Sequence, residues 1–340
     1  MEQQLFKIRD RGKFGFMNRS GEVVIEPQYF EADEFYHGFS RVRMNDRLVL
    51  LDALGRLYLK QLFNYIGYFE EELARVQLVQ RWGYIDKKGN LAIEVQYEEA
   101  ADFSEGVAAV RQDKQYGHIR PNGEWALAPQ FEWAGDFRGG LAPVSASTGC
   151  GYIDTKGAFC LELPYDRCLP FQNEAAVAVK HRKWGLVHRS GKVLFEPQFD
   201  FVPGTSNGDF FEGMAIVKSG NHFGFISDTG VMPVEPRYLS AGDFSEGLAP
   251  VGDGQKFGFI QKDGQVVIPF SFQDAGLFAE GLAPVLAGAR WGFIHPDGVF
   301  AIAPQFDWAM PFRNNLARVG ISGGWAYITR EGTVIWQEKP

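Results

Sequence analysis

The chain has 340 residues, 15% of them aromatic and 22% charged, with 40 glycines and 30 phenylalanines. That composition can build a packed core and excludes wholesale disorder. The formal charge of −8 repels phosphate and argues against nucleic acid as a partner.

The opening residues, Met1 to Asp10, carry no basic cluster followed by an apolar core, so no secretory leader is expected there. No stretch approaches the ~18 apolar residues of a membrane-crossing helix, so no membrane partner is expected. The three cysteines, Cys150, Cys160 and Cys168, are odd in number and few. They are expected to be buried structural thiols rather than a disulfide framework, which fits a cytoplasmic location.

An aromatic-Gly-aromatic-aliphatic tetrapeptide starts at residues 14, 82, 116, 184, 223, 257 and 291, with degenerate copies at 48, 150 and 325. Every step is 34 residues except 184 to 223, which is 39. Ten copies therefore share one register with one insertion, over residues 201–209. Glycine stands seven residues after all ten starts, from Gly21 to Gly332. Tyr or Phe stands fifteen after in nine of nine, from Tyr29 to Phe306, and a further Phe follows in nine of nine, from Phe35 to Phe312.

Along one unit, a short run such as Leu141-Ala142-Pro143-Val144 predicts a first strand. Its proline requires an edge or a position without a ladder hydrogen bond. Trp82 to Asp86 predicts a second strand, Asp86 to Gly89 a tight hairpin turn, and Asn90 to Gln96 a third strand. An irregular stretch such as Ala100 to Gly106 leads to the next unit. The missing Cβ of the motif glycine lets a ring or another backbone lie close. Residues 5–336 hold ten such units as a single domain stabilised by neighbour stacking. The fold class is all-β, a ten-unit array of three-stranded antiparallel meanders. An open superhelical or solenoid-like array is preferred because propeller blades typically have four strands, and a closed propeller-like ring is the alternative.

The run Trp82-Gly83-Tyr84-Ile85-Asp86-Lys87-Lys88-Gly89-Asn90 resembles the WG-repeat, or KWG-repeat, family, as does Asp243-Phe244-Ser245-Glu246-Gly247-Leu248-Ala249-Pro250-Val251. The resemblance covers essentially the whole chain. It implies a β-rich, mostly bacterial repeat protein acting in protein–protein contact, and it carries over no catalytic residues. Leu48-Val49, Cys150 and Ala326 depart from the motif.

No residue pattern points to a cofactor, a metal or an active site. The histidines have no metal spacing, and His188 and His295 read as turn residues. The recurring carboxylates Asp102, Asp136, Asp243, Glu105, Glu212, Glu246 and Glu280 read as a solvated edge or turn caps rather than a hydrolytic pair. Candidate partner-binding residues are those that break the frame. Trp133, Trp308 and Tyr65 stand in a column that elsewhere holds small or charged residues, and large aromatics dominate contact hot spots. Lys180, Arg182 and Lys183 belong to a basic turn, one of several that would form a basic rim opposite an acidic one. The expected function is a non-enzymatic protein–protein interaction scaffold, with a bacterial binder or antitoxin-like protein as a special case. The alternative is a carbohydrate or cell-wall binder using aromatic platforms.

Overall fold

The computed structural model describes residues 4–44, 47–200 and 208–338. Among them are thirty-six strands and no helix, arranged in ten antiparallel sheets whose strands follow one another in chain order. Two compact units, Met1–Phe171 and Gln172–Pro340, are built on the same plan.

The sheet around Tyr116 shows the plan. Its strands are Glu99–Ala100, Ala108–Gln112, Gln115–Ile119 and Trp125–Phe131, paired in that order. The last three are the expected first, second and third strands. The two-residue leading strand is a correction: it lies in the stretch read as irregular, and six of the ten sheets are four-stranded rather than three-stranded. Two of the remaining sheets keep a single bridge in its place, Ala134↔Val144 and Ala309↔Val319.

The hairpin turns form as the sequence requires. At Asp86 to Gly89, the Gly89 amide donates to the Asp86 carbonyl at 2.9 Å, and Gly89 has φ 74°. The Asp86 carboxylate accepts from the amides of Lys88 at 2.8 Å and Asn90 at 2.9 Å, which closes the turn from the side-chain side.

The motif glycine has a sharper requirement. Trp82 pairs with Tyr97 but Tyr84 pairs with Ile93, so residues 94–96 arch over Gly83 alone as a bulge. A Cβ on Gly83 would meet the Ile93 carbonyl oxygen at 2.6 Å, and one on Gly117 the Leu127 oxygen at 2.5 Å. It is backbone, not a ring, that occupies the space.

Proline marks both edges. The carbonyls of Pro143, Pro250 and Pro284 in first strands accept from Gly135, Gly242 and Gly276 at 2.8–2.9 Å. A strand residue's N–H and C=O face the same side, so the missing N–H points past the end of the leading strand, where no ladder partner is needed. Third strands, which form the trailing edges, carry Pro27, Pro129, Pro197, Pro236 and Pro304, and these blunt edge-to-edge pairing.

Consecutive sheets are joined by the two aromatic ladders. All nine rings from Tyr29 to Phe306 are buried. In seven of nine cases the further Phe packs on a ring at the motif's third position in the preceding sheet. These pairs are Phe16–Phe35, Tyr84–Phe103, His118–Phe137, Tyr152–Phe171, Phe225–Phe244, Phe259–Phe278 and Phe293–Phe312, with centroids 4.4–5.0 Å apart. Tilted and edge-on rings at this spacing add to the burial of apolar area. Where the third motif residue is polar, its tip reaches a carbonyl of the next sheet. The Tyr84 hydroxyl donates to Ala101 at 2.7 Å and Tyr152 to Leu169 at 2.8 Å. His118 Nε2 lies 3.0 Å from the Gly135 oxygen, which requires the Nε2–H tautomer.

The cysteine expectation is also corrected. Cys150 and Cys168 are buried but joined by a disulfide, with Cα atoms 5.7 Å apart, and Cys160 is exposed. The two partners sit in columns that in sister units place a ring and a small residue in one core cluster, as Trp82 and Ala100, so the juxtaposition belongs to the frame. The predicted bulge or bend at residues 201–209 lies almost wholly outside the described residues.

Candidate functional site

The column holding Tyr65, Trp133 and Trp308 is the leading strand's contact with the first strand. In regular units it forms cross-strand ion pairs: Glu31 with Arg43 and Glu99 with Arg111, each at 2.7 Å. Trp133 instead faces Ser145, whose hydroxyl accepts from the Trp133 amide at 3.0 Å. Trp308 faces Gly320, where a Cβ would collide with the indole nitrogen at 2.4 Å. Both tryptophans are thus matched by a small partner opposite, whereas Tyr65 pairs with Gln77. The sheets of Trp133 and Trp308 are also the two whose leading strand is reduced to a single bridge.

Trp308 is 37% exposed. Trp133 is half-buried, with the Arg167 guanidinium 5.1 Å from its ring centre, and it walls a cavity of about 240 Å³. Val144, Ser145, Arg167 and both sulfur-bridged cysteines line the same space. Its origin is legible in the frame. Cys150 replaces a motif aromatic, and Gly149 stands where Lys13, Arg81 and Lys183 stand elsewhere, so two large side chains are missing.

Tyr65 lies in a different neighbourhood. Its ring is 5.4 Å from Trp82 and lies near the guanidinium groups of Arg41 and Arg75, at 5.8 and 5.7 Å. These arginines, with Lys7, form a column that sequence reasoning missed. Lys7 donates to the Ala32 carbonyl at 3.0 Å, Arg41 to Ile66 at 2.8 Å and Arg75 to Ala100 at 3.0 Å. Each reaches 25 residues ahead, into the next sheet. The available signal was a basic residue seven before the motif start. Arg41 also pairs with Asp33 at 2.5 Å and Arg75 with Asp102 at 3.0 Å.

The recurring carboxylates divide into two groups. Glu105 accepts from the amides of Gly139 at 2.5 Å and Gly140 at 2.8 Å, and Glu280 from Asn314 at 2.5 Å and Asn315 at 2.7 Å. Glu212 and Glu246 do the same for Gly247 and Gly281 at 3.0 and 2.8 Å. They are turn caps, each clasping the next unit's turn. Asp102, Asp136 and Asp243 are half-buried. Burial raises their pKa values, with Arg75 opposing the shift at Asp102 and Arg138 at Asp136.

The basic turn is partly neutralised. Lys183 Nζ lies 2.6 Å from an Asp200 oxygen, Arg182 is exposed with φ 63°, and Lys180 is half-buried. Arg111, beside another such turn, is committed to Glu99. Within the first compact unit Trp133 and Tyr65 share no described contact, and within the second neither do Trp308 and this turn.

A more regular surface feature lies on the trailing strands. Val23, Leu57, Phe159, Val193, Val266, Phe300 and Val334 are equivalent residues at the start of third strands, and each is at least 36% exposed. The turn glycine of the following unit lies over the same third strand: a Cβ built on Gly123 would come 3.7 Å from Ile93, and one on Gly298 3.3 Å from Ile268. The exposed apolar positions thus recur along consecutive sheets.

The family model of the WG containing repeat matches residues 14–47, 82–116, 116–145, 151–184, 184–221, 223–257, 257–288 and 291–325. The chain belongs to the WG-repeat family. The model passes over the second and tenth units, whose motifs depart at Leu48-Val49 and Ala326. No curated protein matches the sequence. In structure, the WG-repeat chain is similar to a crystal structure of a eukaryotic initiation factor, at 9% identity and TM-score 0.51, over 99% of this chain and 96% of that one. It also matches BamB from Moraxella catarrhalis, at 11% identity and TM-score 0.42, over 80% and 96% of the two chains. The structural neighbours are propellers. Four-stranded meander sheets in a match spanning the WG-repeat chain correct the preference for an open superhelical array. The fold is the propeller-like alternative.

Proposed function

We propose that this WG-repeat protein is a non-enzymatic scaffold that binds a protein partner through its trailing strands and frame-breaking aromatics. The observation that carries the reading is the division of labour among columns. The invariant rings are buried between sheets, whereas the starts of third strands leave aliphatic and aromatic side chains in solvent at equivalent places. Recurrent exposed apolar groups of this kind are characteristic of contact surfaces. Trp308 adds an exposed indole edge to the same reading. The carbohydrate alternative needs a flat, accessible ring face, and both tryptophans lean on neighbouring groups instead.

The test is affinity capture from host lysate with mass-spectrometric readout, comparing the wild type with a Val23→Asp, Val266→Asp variant. Both side chains are exposed, so the variant's melting temperature is expected to stay near the parent's while specific partners disappear. An unchanged set of captured proteins would remove the trailing strands from the contact surface.

A further inference from the structure

The cavity beneath Trp133 has a reactive floor. Among the residues that line it are both halves of the Cys150–Cys168 disulfide, the indole of Trp133 and the cation of Arg167. The cysteines themselves are only 2% and 0% exposed, and the cavity is the open space that adjoins them. At about 240 Å³ it is several times the ~30 Å³ share of one water in the liquid, and a small thiol fits.

The bond also occupies a mechanically significant place. Cys150 lies in the second strand Gly149–Ile153 and Cys168 in the next leading strand, Arg167–Cys168. In sister units the same two columns place a ring and a small side chain in one core cluster. Here a covalent bond replaces that packing, and the space a ring would fill is the cavity.

We propose that Cys150–Cys168 is a thiol–disulfide exchange site, entered past Trp133 and Arg167, whose substrate is a small dithiol. A thiolate of the reductant attacks one cysteine sulfur, forming a mixed disulfide and releasing the other cysteine as a thiolate. The reductant's second thiol then attacks the mixed disulfide, closing its own disulfide and releasing the second cysteine. The protein gains two electrons and two protons, and the dithiol loses them. Arg167 favours both the incoming and the departing thiolate, because an adjacent cation lowers the free energy of the anionic sulfur. After reduction the junction holds two thiols beside an unfilled space, in place of either a bond or a ring, and the contact between residues 150 and 168 loosens.

The experiment uses the full chain carrying Cys160→Ser, so that every counted thiol belongs to the pair. Isolated without reductant and then denatured, it is expected to bind no thiol reagent; two labelled thiols at this stage would overturn the proposal. The folded protein is next incubated with dithiothreitol, quenched with an alkylating reagent and weighed. Two alkyl groups are expected under native conditions, with a lowered melting temperature. Labelling that appears only after unfolding would show a sealed structural bond and overturn the exchange site. Arg167→Glu is expected to slow native reduction by at least about threefold, because like charge repels the thiolate, while the surface control Lys88→Glu leaves the rate unchanged. Equal rates in all three proteins would remove Arg167 from the mechanism.

Discussion

At the scale of single residues, two positions show how the frame constrains chemistry. His118 stands where sister units place Phe16, Phe225, Phe259 and Phe293, is fully buried, and has its pKa lowered by desolvation from 6.5, with the Gly135 hydrogen bond opposing. The unfolded imidazole therefore takes up a proton at a higher pH than the folded one. Stability is complete above about pH 6.5, falls as pH drops below that value, and levels off below the folded-state pKa. His118→Phe is expected to flatten this part of the curve, as read from urea midpoints between pH 5 and 7. The second position contrasts two kinds of glycine. Gly117→Ala drives a Cβ into the Leu127 carbonyl under the bulge, whereas Gly106, with φ 80° and nothing within 4 Å of a built Cβ, meets only the backbone penalty. Gly106→Ala is expected to cost about 1–2 kcal/mol, and Gly117→Ala clearly more; equal melting temperatures would contradict the bulge as the reason for the motif glycine.

At the scale of elements, the unit was largely readable. The second strand, the turn glycine and the third strand follow from period, turn chemistry and aromatic spacing, and the structure reproduces them. The leading strand was not readable. In five of the six sheets that have one it is two residues long, too short for any alternation, with Tyr65–Glu70 the longer exception, and it exists because backbone amides at positions such as Glu98 and Ala101 pair with the next first strand. The Lys7, Arg41 and Arg75 ladder escaped notice because only a few units carry it, so it does not stand out as a column. The Cys150–Cys168 bond escaped because an odd cysteine count says nothing about which columns meet, although the ring and alanine that share a core cluster in sister units would have pointed to it. Glu105 was read as a turn cap, and it is one. As an exposed side chain it would normally tolerate substitution within about ±0.5 kcal/mol. Clasping two amides of the next turn, it is expected to cost about 1 kcal/mol when changed to alanine, measurable by denaturant unfolding.

At the scale of the whole chain, the small sheets become a stable protein because their junctions pack side chains, in seven cases a pair of rings, that neither sheet could bury alone. That assigns the invariant columns to cohesion and leaves the exposed, variable positions for contact. Fold and family were legible because a repeated column averages out local exceptions. The candidate site was legible only as a set of departures, since a single Trp133 or Trp308 does not announce whether it covers a small neighbour or awaits a partner. The most direct test of this division compares two variants within the same compact unit. Phe278 is 1% exposed and packs on Phe259 at 5.0 Å, whereas Val299 is 60% exposed. In urea unfolding, Phe278→Ala is expected to lose about 3–5 kcal/mol, with a midpoint well below the parent's. Val299→Ser is expected to stay within about 0.5 kcal/mol of the parent. Equal midpoints for the two variants would contradict the account.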